Sequence, residues 1–262
     1  MTQPKHKAQP ADSGTAQHHP SPEQLLEVAA GVATPAGAML TASHMVMCPR
    51  CRAEVARLEE DLAALVFGDS ASLHEVEPSG PQGAEQPLRE AGRKLKGLRL
   101  LRRHLPKRLL SDAERRRFPT PLLEALHAHS DLAWRPFLPG VERITLDGLE
   151  RVGANQPLSG NERRVALLNL APGLKLFQHR HQAPELTLVL SGAYRDQTGR
   201  YATGDVATMD AGSAHAIEIE THEPCIALVV QDALLQPCDR RGRLARRVTR
   251  LLQATTGELS PF

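Results

Sequence analysis

The run from Gly173 to Gly192 reads Gly-x5-His179-x-His181-x3-Glu185-x6-Gly, and it restricts the C-terminal half of the chain more than any other feature. Residues i and i+2 of a strand face the same way, so His179 and His181 point to one side of a sheet. The strand beginning near Glu185 pairs beside them and returns a carboxylate. A fourth donor must come from a distant strand, and Gly204-x5-Asp210-x-Gly212-x2-His215 supplies it after a turn-rich hairpin. Three imidazoles and one carboxylate suit Zn, Fe, Mn, Ni or Cu. From about residue 141 the chain consists of short β-rich runs, among them Arg164–Leu170, Leu186–Leu190 and Ile226–Val230, separated by Gly and Asp turns. This texture predicts an all-β sandwich or barrel around the four ligands.

A second constellation lies near the N-terminus. Between about 22 and 67 the sequence is rich in Ala, Leu and Glu and is punctuated by Gly31, Pro35 and Pro49, which predicts three short helices. In the third, Cys48 occupies an N-cap position, Pro49 suits the first helical position, and Val55, Leu58, Leu62 and Leu65 recur at helical spacing up to Gly68. His44-x3-Cys48-x2-Cys51 thus places three ligands around a helix-to-helix turn. Thiolate and imidazole together select zinc, and a structural zinc site takes four such ligands. The fourth is expected from His18 or His19, with His19 preferred. A redox dithiol would instead sit at the strand-to-helix turn of a βαβ unit, a pattern that is absent here.

A chain of 262 residues accommodates two such units. Four cysteines, two of them in Cys48-x2-Cys51, do not resemble a secreted disulfide framework, and Cys225 and Cys238 are expected to be buried or idle thiols. With no signal peptide and no run approaching 18 apolar residues, a cytoplasmic protein that does not span a membrane is expected. The net charge of +2 conceals a basic stretch, because residues 89–117 carry twelve Lys/Arg against Glu90, Asp112 and Glu114. Leu95, Leu98, Leu101, Leu105 and Leu109 recur within it at helical spacing, interrupted by Pro106. The expected organisation is a disordered tail (1–17), a zinc-bound helical domain (18–68), a linker with a basic amphipathic helix (69–130), a β domain (131–236) and a basic tail (237–262).

Residues 18–67 resemble the zinc-containing anti-sigma domain, a helical module with the pattern His-x3-Cys-x2-Cys and a histidine roughly 25 residues upstream; His19 stands 25 residues before His44. The resemblance implies helices that clamp an extracytoplasmic-function sigma factor, completed by a further helix within 88–128. The two C-terminal runs are similar to the paired motifs of the cupin superfamily, with Asp210 where proline is usual and Ile219 where asparagine is usual. That likeness implies an α+β multidomain chain, a zinc-bound helical bundle followed by a cupin β-barrel of jelly-roll type. The order of parts, together with the run Glu185–Asp205, resembles the ChrR-type anti-sigma factors. The implied function is a cytoplasmic anti-sigma factor that holds two zinc ions and releases its sigma factor on singlet oxygen or organic peroxide, sensed through the cupin metal.

Two other readings compete with the regulator. One is a cupin metalloenzyme, a dioxygenase or isomerase, with an N-terminal zinc docking domain. The other is a nucleic-acid-binding zinc module, which the acidic residues Glu54, Glu59, Glu60, Asp61, Glu75 and Glu77 disfavour by repelling phosphates. No direct nucleic-acid partner is therefore expected.

Overall fold

The structure, a computed structural model, describes residues 16–67, 108–127, 132–146, 164–231, 236–240 and 242–244. The apolar repeat at Leu95, Leu98, Leu101 and Leu105 lies outside these residues, as do most of the N-terminal tail and of 237–262.

Three helices come first. In α1 (Pro22–Ala29), Ser21 and Gln24 form a reciprocal capping box and Pro22 takes the first helical position. In α2 (Pro35–Met47), the Thr34 side chain accepts from Gly37 N. Cys48 closes α2, its N–H bonded to the His44 carbonyl, and α3 (Pro49–Phe67) starts directly after it. The turn expected at Pro49 and the end near Gly68 are both present. The bundle's own core is small: Leu25, Cys48, Cys51 and Val55 are buried, with Leu58, Met45 and Val28 packed against them. So few apolar side chains do not stabilise three helices unaided.

The β region holds a seven-stranded antiparallel sheet. Its order is β1 (Arg108–Leu109), β2 (Ala133–Leu138), β3 (Val141–Thr145), β4 (Arg164–Leu170), β12 (Cys225–Gln231), β6 (Glu185–Ser191) and β9 (Val206–Met209). Two smaller sheets complete the sandwich. One has the order β10 (Ala214–His215), β5 (His179–Arg180), β13 (Gln236–Pro237), and the other β11 (Glu218–Ile219), β7 (Ala193–Arg195), β8 (Arg200–Ala202). A closed barrel was the expectation, and the structure corrects it to an open cupin-like β-sandwich. Several strands are two residues long, too short to carry a hydrogen-bond ladder from one sheet into the next.

The basic segment also departs from expectation at its end. Leu109 lies on a strand, and Leu110 is buried in the core. Arg108 forks onto Glu114, which also accepts from Trp134 Nε1, so this edge is pinned by one carboxylate. Two helices follow within residues 88–128, where the resemblance implies a further helix: α4 (Asp112–Arg115) and α5 (Thr120–His127).

The central strands of the seven-stranded sheet are buried on both faces. Along β12, Ile226, Leu228 and Val230 face one cluster and Cys225 the other, so the strand reads as continuously apolar rather than alternating. The first cluster joins the sheet to α5 through Leu122 and Leu126 and to α2 through Ala36, Met39 and Leu40. The second lies inside the sandwich, with Val189, Tyr194, Tyr201, Met209 and Ile219. The bundle and the sandwich, expected as parts joined only by a linker, thus share a hydrophobic core. Leu228 is fully buried between β4 and β6. Leu228→Ala is expected to cost about 2–5 kcal/mol, read from the denaturant midpoint; a loss below about 1 kcal/mol would mean the site collapses freely and is not a packed centre.

Candidate metal centres

Among the described residues two groups bring metal-ligating atoms together, His19, His44, Cys48 and Cys51 in one and His179, His181 and His215 in the other.

The first group is assembled around the α2–α3 junction. His44 lies in the last turn of α2, Cys48 is the non-helical residue that closes it, and Cys51 lies in the first turn of α3. His19 arrives from the irregular segment before α1, its Nδ1 lying 3.5 Å from Cys48 Sγ and 3.4 Å from Cys51 Sγ. Ligands at about 2.3 Å (S) and 2.0–2.1 Å (N) around a tetrahedral ion are separated by roughly 3.5 Å, so the spacing fits. His44 supplies an independent sign. Its Nδ1 donates to the Gly204 carbonyl at 2.7 Å, whereas Nε2 is buried with no hydrogen-bond partner. A buried, unpaired acceptor is costly, and a metal ion beside the two thiols would satisfy it. Burial disfavours charge throughout: it pushes the Cys51 thiol up to about 12, with Cys48 adding to the effect, and it lowers His44 and His19. A cation here would supply the positive charge that lets both sulfurs ionise. His18, the other candidate, points elsewhere: its Nε2 donates to the Arg200 carbonyl at 3.1 Å.

The second group sits inside the sandwich. His179 lies on β5 opposite His215 on β10, and Gly212, at φ +87°, makes the turn that returns the chain to that register. His181 is buried on the same side as His179, while Arg180 between them is exposed. Their Nε2 atoms converge, with His215 Nε2 at 3.0 Å from that of His179 and 3.1 Å from that of His181. The outer nitrogens are all engaged. His179 Nδ1 donates to the Phe177 carbonyl, His215 Nδ1 to Asp196 Oδ2 at 2.8 Å, and His181 Nδ1 lies 3.5 Å from Glu185 Oε2. This fixes each ring with its Nε2 lone pair inward, the arrangement that metal-binding imidazoles need. Burial first, then neighbouring imidazoles, lowers His179 to about 4 and His181 to about 3, so both imidazoles are neutral at physiological pH, as metal ligation requires. The donor set fits a divalent metal.

Glu185 is not part of the converging group. It is buried and shares the inward-facing parity of Thr187 and Val189. Its carboxylate, however, accepts from Thr187 Oγ1 and faces the outer nitrogen of His181. Burial raises its carboxyl to about 7. The closing glycine of the motif has a clear reason: Gly192 has φ +75°, and a Cβ there would meet the Pro224 carbonyl at 2.5 Å. Of the two departures from the motif, Ile219 is buried in the inner core, and the Asp210 carbonyl accepts from Ser213 N and Oγ, keeping the turn before His215. Cys225 is buried and Cys238 exposed.

Asp196 was not found from the sequence. Its side chain is fully buried and accepts from Thr198 N, Thr198 Oγ1 and Gly199 N besides His215. Asp-x-Thr-Gly announces a turn, but nothing local says that its carboxylate orients a histidine 19 residues on.

Fold and sites define a class, a cupin-like sandwich preceded by a helical module, with a potential metal centre in each. Residues 124–235 match the ChrR cupin-like domain family. The chain is 30% identical over 223 residues to the anti-sigma-E factor ChrR of Cereibacter sphaeroides, an alignment covering 85% of this chain and 92% of that protein. It is also similar to a crystal structure of Rhodobacter sphaeroides SigE in complex with the anti-sigma ChrR, with TM-score 0.57, 27% identity, and 83% of this chain and 100% of the matched chain covered. The chain belongs to the ChrR family of anti-sigma factors. Among the described residues no helix is long and apolar enough to cross a membrane.

Proposed function

We propose that this chain is a cytoplasmic anti-sigma factor whose N-terminal helices, held by zinc on His19, His44, Cys48 and Cys51, bind an extracytoplasmic-function sigma factor. A second metal on His179, His181 and His215, with Glu185 close by, lets the cupin-like domain respond to singlet oxygen or organic peroxide. The observation that carries this reading is the four-ligand cluster at the α2–α3 junction, in a chain whose ChrR relative forms a complex with SigE. The surface supports it. Leu26, Val32, Val46, Leu65 and Val66 are exposed on the helical unit, against Leu109 and Leu244 among the other described residues, so most of the exposed large apolar side chains lie on the part proposed to bind the sigma factor. Each metal would act in its own way. At the helical centre it would be structural, joining the segment before α1 to the α2–α3 junction. At the cupin-like centre Asp196 and the Phe177 carbonyl orient the imidazoles, and the metal would supply a reactive coordination face.

Co-purification of the full chain from its native cell tests the proposal. It is expected to bring down one sigma factor with two metal ions per chain, at least one of them zinc, and overexpression is expected to silence that factor's promoter. A chain that captures no sigma factor and silences no promoter would overturn it. One observation favours a second reading: with Glu185 turned to the outer side of His181, three imidazoles leave coordination positions open, as a cupin dioxygenase or isomerase requires. Iron or manganese in that centre, with turnover of a small molecule, would favour the enzyme.

A further inference from the structure

The helical centre is closed partly by atoms of the sandwich. The turn between β8 and β9 carries Asp205, which is 3% exposed. Its Oδ1 accepts the backbone N–H groups of Gln17 at 2.6 Å and His18 at 2.9 Å, and its Oδ2 accepts from Ala202 N at 2.8 Å. The same short stretch grips His18 again: Val206 N donates to the His18 carbonyl, His18 Nε2 donates to the Arg200 carbonyl, and the His18 ring lies 4.3 Å from that of Tyr201. The next residue is His19. The neighbouring Gly204 carbonyl accepts from His44 Nδ1. Two of the four ligands at the helical centre are thus held by residues 200–206. The hairpin leading into that stretch carries Asp196, which orients His215 at the other centre.

We infer that Asp205 is a positioning residue for the helical metal centre, a buried carboxylate by which the cupin-like domain holds the His18–His19 segment so that His19 completes the ligand set. The physical basis is preorganisation. His19 belongs to a segment outside any helix or strand, and two charge-assisted bonds to the consecutive backbone N–H groups before it remove freedom that it would otherwise lose on binding. Partners bonded directly to a ligand alter metal affinity by on the order of 10- to 100-fold, and Asp205, bonded to the residue before His19, acts one step further out. The sandwich therefore acts on metal retention in the helical unit without contributing a ligand.

The inference rests on the four-residue cluster being a metal centre, and one experiment separates the two. The full-length chain is loaded with Co2+, and the thiolate-to-cobalt charge-transfer band, which only the centre with Cys48 and Cys51 can give, is followed after adding excess EDTA. Asp205→Asn loses one acceptor oxygen and is expected to shorten the life of the band by up to about 10-fold, the lower end of what a partner bonded directly to a ligand gives. His18→Phe keeps a ring against Tyr201 but removes the bond to Arg200, and is expected to shift the lifetime in the same direction by less. Cobalt bound by His179, His181 and His215, followed in a Cys48→Ala background, is expected to leave at an unaltered rate when Asp205→Asn is added. Unchanged band lifetimes in both variants, or equal acceleration at the two centres, which general loosening of the fold would produce, overturn the inference. A wild-type chain that develops no band removes the metal centre itself.

Discussion

Cys48→Ala is expected to abolish metal binding at the helical centre and to release α1 and α3 from the rest of the molecule. The bundle's private core is Leu25, Cys48, Cys51 and Val55, so two of its four buried members are proposed ligands. Without the ion the pocket would hold a thiol, His19 and the unpaired His44 Nε2, in surroundings that already disfavour charge. Zinc contributes apparent free energies of about 10–16 kcal/mol to folding in small zinc-finger peptides, which exceeds what a core of this size supplies. The effect should not spread evenly. α2 also buries Ala36, Met39 and Leu40 against the sheet and α5, so it is expected to keep its protection while α1 and α3 lose theirs. Metal content should fall from two ions per chain to one, hydrogen exchange should accelerate in 22–29 and 49–67, and sigma-factor binding should be lost. Unchanged metal content with unchanged exchange would remove the N-terminal centre from this account.

His179→Ala combined with His181→Ala is expected to empty the cupin-like centre while leaving basal repression in place. The double change removes two of the three converging Nε2 atoms. Neither residue belongs to the helix-facing cluster or to the apolar cluster inside the sandwich, so the sheet keeps its packing and the sandwich should remain folded. Induction is what should disappear. A stimulus shifts an equilibrium between binding-competent and released states only if it interacts differently with the two, and the metal centre is the chemically reactive part of the sandwich. A promoter reporter compared before and after singlet-oxygen or organic-peroxide exposure provides the measurement. Low output that no longer responds supports a sensor, and a normal response in a protein stripped of its second metal would leave the cupin-like domain without that role. Because His44 bonds to Gly204 and His18 to Arg200, a small rise in basal output would be consistent with communication between the centres, whereas full derepression would not.

What the sequence determined by itself is local. His179 and His181 share a face because a strand has a period of two, and His44, Cys48 and Cys51 come together because their spacing brackets a helix-to-helix turn at Pro49. Ser21 with Gln24, Thr34 and the two helix-starting prolines Pro22 and Pro35 announce helix starts through bonds spanning three residues, and the same rule places Pro49 at the head of α3. Glycine at 192 marks a backbone that only glycine adopts next to Pro224. These signals depend on short-range geometry, which spacing encodes directly.

What only the tertiary structure decided is whatever joins residues far apart in the chain. Asp196 against His215, Asp205 against Gln17 and His18, and His44 against Gly204 span 19 to 188 positions, and no periodicity relates the partners. The open sandwich in place of a closed barrel depends on whether strands of two residues find partners in another sheet, a property of the assembled layers. Glu185 illustrates the boundary most clearly. Its parity, read from the sequence, puts it inside the sandwich, but whether its carboxylate reaches the converging nitrogens or the outer side of His181 depends on a rotamer set by Thr187 and the packing around it. Side-chain direction within a packed interior follows from neighbours contributed by many strands at once, and a linear sequence does not present those neighbours together.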